Sequence, residues 1–214
     1  LITKLPEEIN TSGWTSTAYM FYYCENIKTI PKLDTSKVTN MSCMFQYCEN
    51  LKTIPKLDTS NVTNMACMFQ YCSNLIEIPE LNTSNVTSMG NMFSRCSTLT
   101  DVFELDASNA TSLINIFQYC SNLTNFGGLK NLGKAYTQKT NNYNAYKLDL
   151  SACRNLTHES LMNVINNLYD LNLTYDVANG GTLYRQSLVL GSTNKAKLTA
   201  EEIAIATNKG WDVS

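Results

Sequence analysis

The sequence predicts an α/β fold, a right-handed leucine-rich-repeat solenoid with short parallel strands on one face, helical turns on the other and a C-terminal strand–helix cap. The main observation is an exact repeat with a period of 24 residues. Five cysteines mark it, each with a phenylalanine three residues before it. Neither half of one copy can bury its apolar side alone, so the copies must stack to form a continuous core. The predicted core columns are Cys24, Cys48, Cys72, Cys96 and Cys120, with Phe21, Phe45, Phe69, Phe93 and Phe117.

One copy illustrates how its two halves are predicted. The spacing of Val62, Met65 and Phe69 predicts one face of a short helix or of helical turns. A hydroxyl at Thr59 or Ser60 could cap its first amides. An extended segment of about three residues follows, and Pro79 ends it because proline has no amide to donate to a parallel ladder.

The repeat also sets the domain organisation. We expect one continuous domain with a repeat array over residues 1–129, a loop or excursion over 130–147 and two longer strand–helix units over 148–214. Thr199 and Glu202 form a predicted capping box, and Gly210 has the position of a helix C-terminal glycine. Trp211 is expected to fold back over the end, so the last region is predicted to cap the solenoid.

Composition excludes several classes of protein. Hydrophobic residues make up 43% of the 214 residues, which is enough for a core, and charged residues make up 16%. The net charge of −2 gives no strong field for nucleic acid or anionic lipid, and no apolar run is long enough to span a bilayer. The chain begins at Leu1 without a signal segment, so we expect it to be a piece of a longer protein.

No residue pattern indicates catalysis or a metal. The stacked cysteines could approach within disulfide range, but small buried apolar residues are the favoured interpretation. Turn formation explains Asp34, Asp58 and Asp106 better than calcium binding, and His158 is interpreted as a surface residue near a helix cap. We therefore expect no enzyme activity and no cofactor.

Two surface columns are candidates for partner binding. On the strand side, lysines of the early copies give way to carboxylates in the later ones, and this gradient either orients a partner or is random drift on a solvated face. The candidate partner-binding residues are Lys28, Thr29, Lys32, Lys52, Thr53, Lys56, Glu77, Glu80, Asp101 and Glu104. The second candidate, for which half-buried packing is the favoured interpretation, is the column Tyr23, Tyr47, Tyr71, Arg95 and Tyr119, beside Tyr22.

The repeat phrases TSNVTNMxxMFxxCxNL and LDxSxVTxM resemble those of the BspA-like leucine-rich-repeat surface proteins. That family occurs in bacteria of the mouth and gut, in mycoplasmas and in some parasitic protists. The resemblance covers residues from about 9 to 129, and the closing LTAEEIAIATNKGW is similar to C-terminal ends in the family. It implies secreted or cell-surface proteins that bind host proteins or other cells, with no catalytic residues to carry over.

We therefore expect a non-enzymatic surface or secreted adhesion module that binds a protein or glycan through the solenoid face, without nucleic acid or membrane insertion. It is expected to be a monomeric module of a longer chain. A phage tail or host-recognition component built from the same repeat is the alternative, and a cytosolic inhibitor-type leucine-rich-repeat protein is a third possibility.

Overall fold

The computed structural model describes residues 5–134, 147–171 and 186–214 of the chain. Its first part is a stack of coils of equal length, which we number from the N terminus. Coils 1 to 5 comprise residues 11–34, 35–58, 59–82, 83–106 and 107–130. Each coil therefore corresponds to one copy of the sequence repeat.

The first half of each coil is a series of turns. Of the two conformations that the spacing allowed, a short helix or helical turns, the structure therefore does not have the helix. In coil 2 the Met44 amide donates to the Met41 carbonyl at 3.2 Å, and the Cys48 amide donates to the Phe45 carbonyl at 3.0 Å. The third residue of each turn, Cys43 or Tyr47, has a left-handed φ of 56° or 63°, as in type II turns. A left-handed residue interrupts the helical path, while the spacing of the apolar residues still places them on one side.

The left-handed conformation recurs in every coil at these two positions. The residues concerned are Tyr19, Tyr23, Cys43, Tyr47, Cys67, Tyr71, Asn91, Arg95, Asn115 and Tyr119. We call the surface that carries these turns the turn face.

On the turn face, each of coils 1 to 4 donates four regularly spaced backbone hydrogen bonds to the next coil, while one amide beside the turns, that of Thr63 in coil 3, donates back to Thr39 of the preceding coil. The amides of four alternate residues of a coil donate to carbonyls of the next coil, with N–O distances between 2.7 and 3.1 Å. Between coils 2 and 3 the donors are Met41, Cys43, Phe45 and Tyr47, and the acceptors are Asn64, Ala66, Met68 and Gln70. The same four bonds recur between coils 1 and 2, 3 and 4, and 4 and 5.

The connector between coils is held by side-chain hydrogen bonds, and the predicted helix-capping role of its hydroxyl groups is wrong. Asp58 Oδ1 accepts from the amide and the hydroxyl of Ser60, which is an Asx turn. The buried Thr59 hydroxyl accepts from the amide of Asn82, and the Thr35 hydroxyl donates to the carbonyl of Asp58. These residues therefore link one coil to the next, and the Asp column forms turns as expected.

Strands are shorter and fewer than predicted. Strands β1 (Asp101–Val102) and β2 (Leu105–Asp106) of coil 4 pair in parallel with β3 (Asn125–Phe126) and β4 (Leu129–Lys130) of coil 5. In coil 5 the amide of Gly127 donates to Val102. Coils 1 to 3 carry a proline at the equivalent position, which has no amide for this bond.

The C-terminal part contains the longer elements. Strands β5 (Lys147–Asp149), β6 (Gln186–Val189) and β7 (Trp211–Val213) form a parallel sheet in the order β5-β6-β7. The helices are α1 (His158–Asn167), α2 (Gly191–Lys195) and α3 (Ala200–Asn208). Helix α1 contacts β3, β4 and α3, so this region packs on the last coil.

The local signals for these elements were accurate. The capping box of Thr199 and Glu202 is confirmed, and Gly210 has a left-handed φ of 86° just after the helix. Trp211 is buried in β7. Lys130 and Lys147 belong to strands, so the predicted loop over 130–147 is narrower at both ends, and its residues 135–146 lie outside the described ones.

The core is a stack of equivalent side chains. Phe21, Phe45, Phe69, Phe93 and Phe117 lie parallel with ring centroids 5.5–5.6 Å apart. Cys48, Cys72, Cys96 and Cys120 are buried beside them, whereas Cys24 of the first coil is half-buried. Both predicted columns thus lie in the core, except for Cys24 at the N-terminal edge of the stack.

Candidate interaction surface

The ten candidate partner-binding residues lie together on the strand side of coils 1 to 4. We call this surface the charged face, and nine of its residues are exposed while Thr53 is half-buried. The equivalent positions of successive coils stack about 4.8 Å apart, as strands do. The charged face consists of Lys28, Thr29, Lys32, Lys52, Thr53, Lys56, Glu77, Glu80, Asp101 and Glu104.

The charges of this face are sorted along the stack. Coils 1 and 2 contribute four lysines, and coils 3 and 4 contribute four carboxylates. No ion pair joins any of these eight groups among the described residues, where the ion pairs are Lys147–Asp149 and His158–Glu202. Asp101 accepts from Asn125 at 2.7 Å, and Glu104 accepts from Asn167 at 3.1 Å. The charged groups therefore remain available to a partner.

An open groove of about 1700 Å³ runs along one side of the charged face. Lys32, Lys56, Glu80 and Glu104 line this groove, whereas the other six residues of the charged face do not. Its lining also includes Asp34 and Asp58, each with a carboxylate oxygen that accepts from a serine two residues later. The hydrogen bond from the serine hydroxyl, and to a smaller extent that from the serine amide, lowers the pKa of each carboxyl group. Both groups are therefore ionised at neutral pH.

Two exposed apolar side chains accompany the acidic half of the face, and the sequence analysis did not single them out. Phe103 is 55% exposed and Ile76 is 48% exposed. Phe103 replaces the proline of the earlier coils, and Ile76 replaces the lysine of the column Lys28 and Lys52. The sequence does contain a signal for these two residues, because at both positions a large apolar residue replaces the residue that the earlier copies share. Apolar anchors beside charges are typical of binding surfaces.

The second candidate, the tyrosine column, forms a ladder on the turn face. The ring centroids of Tyr23 and Tyr47 are 4.2 Å apart and those of Tyr47 and Tyr71 are 4.5 Å apart. The Arg95 guanidinium lies between Tyr71 and Tyr119, at 5.0 and 4.4 Å from their centroids. Tyr47 and Tyr71 are half-buried, whereas Tyr22, Tyr23, Arg95 and Tyr119 are exposed. The faces of the inner rings are occupied by their neighbours, which leaves mainly ring edges for a partner.

Six of the eight cysteines are buried, and Cys24 and Cys67 are half-buried. All eight are free thiols, and Cys43 and Cys67 form a separate column on the turn face. Burial raises the pKa of Cys48 to about 12 and that of Cys67 to about 11. The Cys48 thiol donates to the Phe21 carbonyl of the preceding coil at 3.0 Å, and Cys72, Cys96 and Cys120 repeat this bond. This thiol–carbonyl bond is a structural role that the sequence did not indicate.

His158, the one histidine of the chain, has a structural partner. His158 Nε2 lies 2.8 Å from Glu202 Oε1, which joins the beginnings of α1 and α3. In the described part of the chain no His, Cys, Asp and Glu side chains cluster as a metal site would require. None of its helices is long and apolar enough to cross a bilayer.

Comparisons with known proteins agree with this architecture. Residues 15–128, more than half of the chain, match the family model described as "Mycoplasma protein of unknown function, DUF285". The crystal structure of a T. pallidum leucine-rich-repeat protein superposes with a TM-score of 0.56 at 17% identity, covering 98% of this chain and 83% of that chain. At this identity the similarity shows the fold alone, which is a leucine-rich-repeat solenoid. No curated protein matches the sequence.

Proposed function

The chain belongs to the DUF285 family, and from this premise we propose that it is a non-enzymatic interaction module that binds a protein partner through the charged face. The leucine-rich-repeat fold supports a role in protein interaction. The observation that carries the proposal is the separation of four exposed lysines from four exposed carboxylates on one rigid surface, without ion pairs among them.

The rigidity of the charged face favours binding. Each coil is held to the next by four backbone hydrogen bonds on the turn face, by connector side chains and by core stacking. A partner therefore meets charges whose backbone positions are already fixed, so less conformational entropy is lost on association. Complementary charges raise the association rate and select the orientation of the partner.

We place this module at a cell surface or outside the cell, as an adhesion component that contacts a host or neighbouring cell. The resemblance to the BspA-like surface proteins and the surface rich in uncharged Asn, Thr and Ser support this location. A glycan ligand is a second possibility for the same face. Immunolabelling of intact and permeabilised cells tests the location, since a signal that appears only after permeabilisation would contradict it.

We also propose that the coils are right-handed and that residues 148–214 cap the array of residues 1–129. Right-handed crossovers predominate between parallel strands, which supports the handedness. The packing of α1 against β3 and β4 supports the cap, as does the Cys153 thiol, which donates to the Phe117 carbonyl of coil 5 at 3.5 Å. An experimental structure of the full chain tests both features.

The partner can be sought with an array of extracellular-matrix proteins, host surface proteins and glycans probed with the purified chain. For each ligand found, association rates are measured for the wild type, for the double variant Lys52→Glu/Lys56→Glu, and for the control Lys37→Glu. Lys37 is exposed in the connector and lies outside the charged face. We expect the double variant to lower the association rate about tenfold at low salt and the control to leave it unchanged. Equal rates for all three proteins would remove the charged face as the binding site.

A further inference from the structure

The charges of the charged face are arranged so that the face is complementary to itself. Along the groove, one column presents Lys32, Lys56, Glu80 and Glu104 in coils 1 to 4. In the two neighbouring columns the charges are divided: Lys28 and Lys52 carry the positive charges of one column, and Glu77 and Asp101 carry the negative charges of the adjacent column. A sequence of two positive and two negative charges becomes its own complement when it is reversed.

We propose that the partner of the charged face includes a second copy of this chain, bound as a two-fold symmetric dimer; this inference rests on the proposed function of the face. The two-fold axis lies parallel to the strands and passes between coils 2 and 3. This operation reverses the stack axis and preserves the strand direction, so coil 1 faces coil 4 of the other copy and coil 2 faces coil 3. Such an interface is isologous, and every contact occurs twice.

The symmetry pairs opposite charges along the groove column. Lys56 of each copy meets Glu80 of the other, and Lys32 meets Glu104. Lys28 and Lys52 approach the column that carries Asp101 and Glu77. Since these groups have no ion-pair partner within the described chain, the dimer gives them one without breaking an existing pair.

The apolar residues of the face fit the same arrangement. Phe103 occupies the column of Pro31, Pro55 and Pro79, so the two-fold axis brings it onto Pro31 of the other copy. The 55% exposure of Phe103 is then explained by an apolar contact that is made twice. In a monomer this large side chain would be exposed without a partner.

The Asp column on the far side of the groove limits the contact area. Asp34 would face Asp106 of the other copy if the contact extended that far, and two carboxylates would repel each other. The interface is therefore centred on the columns from 28 to 32. Four coils about 4.8 Å apart and five extended residues give only a few hundred Å² per copy, less than the roughly 800 Å² of a standard interface, so the dimer is weak and sensitive to salt.

Charge exchange tests this arrangement. Sedimentation equilibrium at low ionic strength is carried out on the wild type, Lys56→Glu, Glu80→Lys, the double variant and an equimolar mixture of the two single variants. Each single variant places two like-charged pairs in its own dimer, and we expect its dissociation constant to rise about tenfold or more. The double variant and the mixture restore opposite charges at both contacts, so both should dimerise about as well as the wild type.

The result that overturns the dimer is a wild type that stays monomeric at the highest concentration, or a double variant and mixture no better than the single variants. Circular dichroism and thermal unfolding confirm that each variant is folded. A monomeric wild type that still binds a foreign ligand through Lys52 and Lys56 would refute the dimer alone. A salt-sensitive dimer without any foreign ligand would support the dimer and limit the proposed function to self-association.

Discussion

At the scale of single residues, the least expected feature is the left-handed backbone of two non-glycine residues in every coil. Tyr, Arg and Cys occupy these positions in most coils, although a left-handed residue with a Cβ atom is strained. The column of Cys43 and Cys67 continues as Asn91 and Asn115, and asparagine tolerates this conformation best among residues with side chains. The hydrogen bonds between coils therefore hold residues such as Cys67 in a conformation that they disfavour.

Substitution of Cys67 tests this strain. We expect Cys67→Val to lower the free energy of unfolding by about 1–3 kcal/mol, because a β-branched residue is a poor fit to a left-handed φ. The matched variant Cys67→Asn should stay within about 0.5 kcal/mol of the wild type, as for a mild surface substitution. Chemical denaturation measures both values. Equal losses for valine and asparagine would mean that the loss of the thiol, not the backbone, determines the effect.

At the scale of elements, the C-terminal helices are anchored by single side chains. The Lys209 ammonium donates to the carbonyls of Ile165, Asn166 and Leu168 at the end of α1, at 3.3, 2.7 and 3.1 Å. A cation at this position satisfies carbonyl groups that the helix leaves without partners and opposes its dipole.

Removal of the Lys209 charge should loosen the contact between α1 and the end of α3. We expect Lys209→Met to cost about 1–3 kcal/mol of stability, because several charge-assisted hydrogen bonds are lost. Lys195→Met is the matched control, since Lys195 is exposed and donates one long bond of 3.4 Å to Val213. Thermal denaturation of both variants gives the comparison, and similar losses would contradict the capping role.

The capping box of α3 predicts a dependence of stability on pH. Hydrogen bonds from the Thr199 amide and from His158 lower the pKa of Glu202 below its ordinary value of 4.5. Because the folded-state pKa is lower than the unfolded one, its stabilising contribution is present above pH 4.5 and is lost as pH falls through the folded pKa. The free energy of unfolding of Glu202→Gln should therefore fall less between pH 6 and pH 3 than that of the wild type. Parallel pH curves would contradict this contribution.

The sequence predicted these elements unevenly, for physical reasons. The ends of α3 were predictable because capping boxes and terminal glycines are local signals. The spacing within each coil could not separate a short helix from turns, because a chain of turns with left-handed residues places Met65 and Phe69 on one side just as a helix would. The strands were overestimated in coils 1 to 3, where proline leaves no amide for the ladder.

At the scale of the whole molecule, stability comes from identical layers that support one another. Phe69 stacks between Phe45 and Phe93 at 5.5 and 5.6 Å, whereas Phe21 has one stacked neighbour, Phe45. In a stack of this kind each coil contacts only its neighbours, so an interior defect interrupts two interfaces.

Truncation of the phenylalanine column should show this difference. Phe69→Ala is expected to cost about 3–5 kcal/mol, as for other buried aromatic residues. Phe21→Ala should cost less, because it removes one stacking contact at the edge. Denaturant unfolding of both variants measures the difference. A nearly neutral Phe69→Ala would place this ring outside the core.

The constant period of the repeat made the columns of the charged face predictable, because equivalent positions must stack. Lys32, Lys56, Glu80 and Glu104 therefore share one column of the groove, as their spacing indicated. The exposure of Phe103 and the face-to-face stacking of Tyr23, Tyr47 and Tyr71 could not be predicted, since they depend on the path of the backbone within a coil.

The four hydrogen bonds that each coil donates to the next on the turn face repeat without change, so one edge of the turns carries the donors and the other carries the acceptors. The coil is therefore the unit by which the chain can be lengthened or shortened. Removing residues 59–82 would bring the donor edge of coil 2 onto the acceptor edge of coil 4, which offers the same acceptors as the edge that was lost. Recombination between near-identical copies could thus lengthen or shorten the protein by whole coils without a new fold. Each coil gained or lost would also change the order of charges on the charged face. The choice of partner could therefore change with the number of coils, without any substitution.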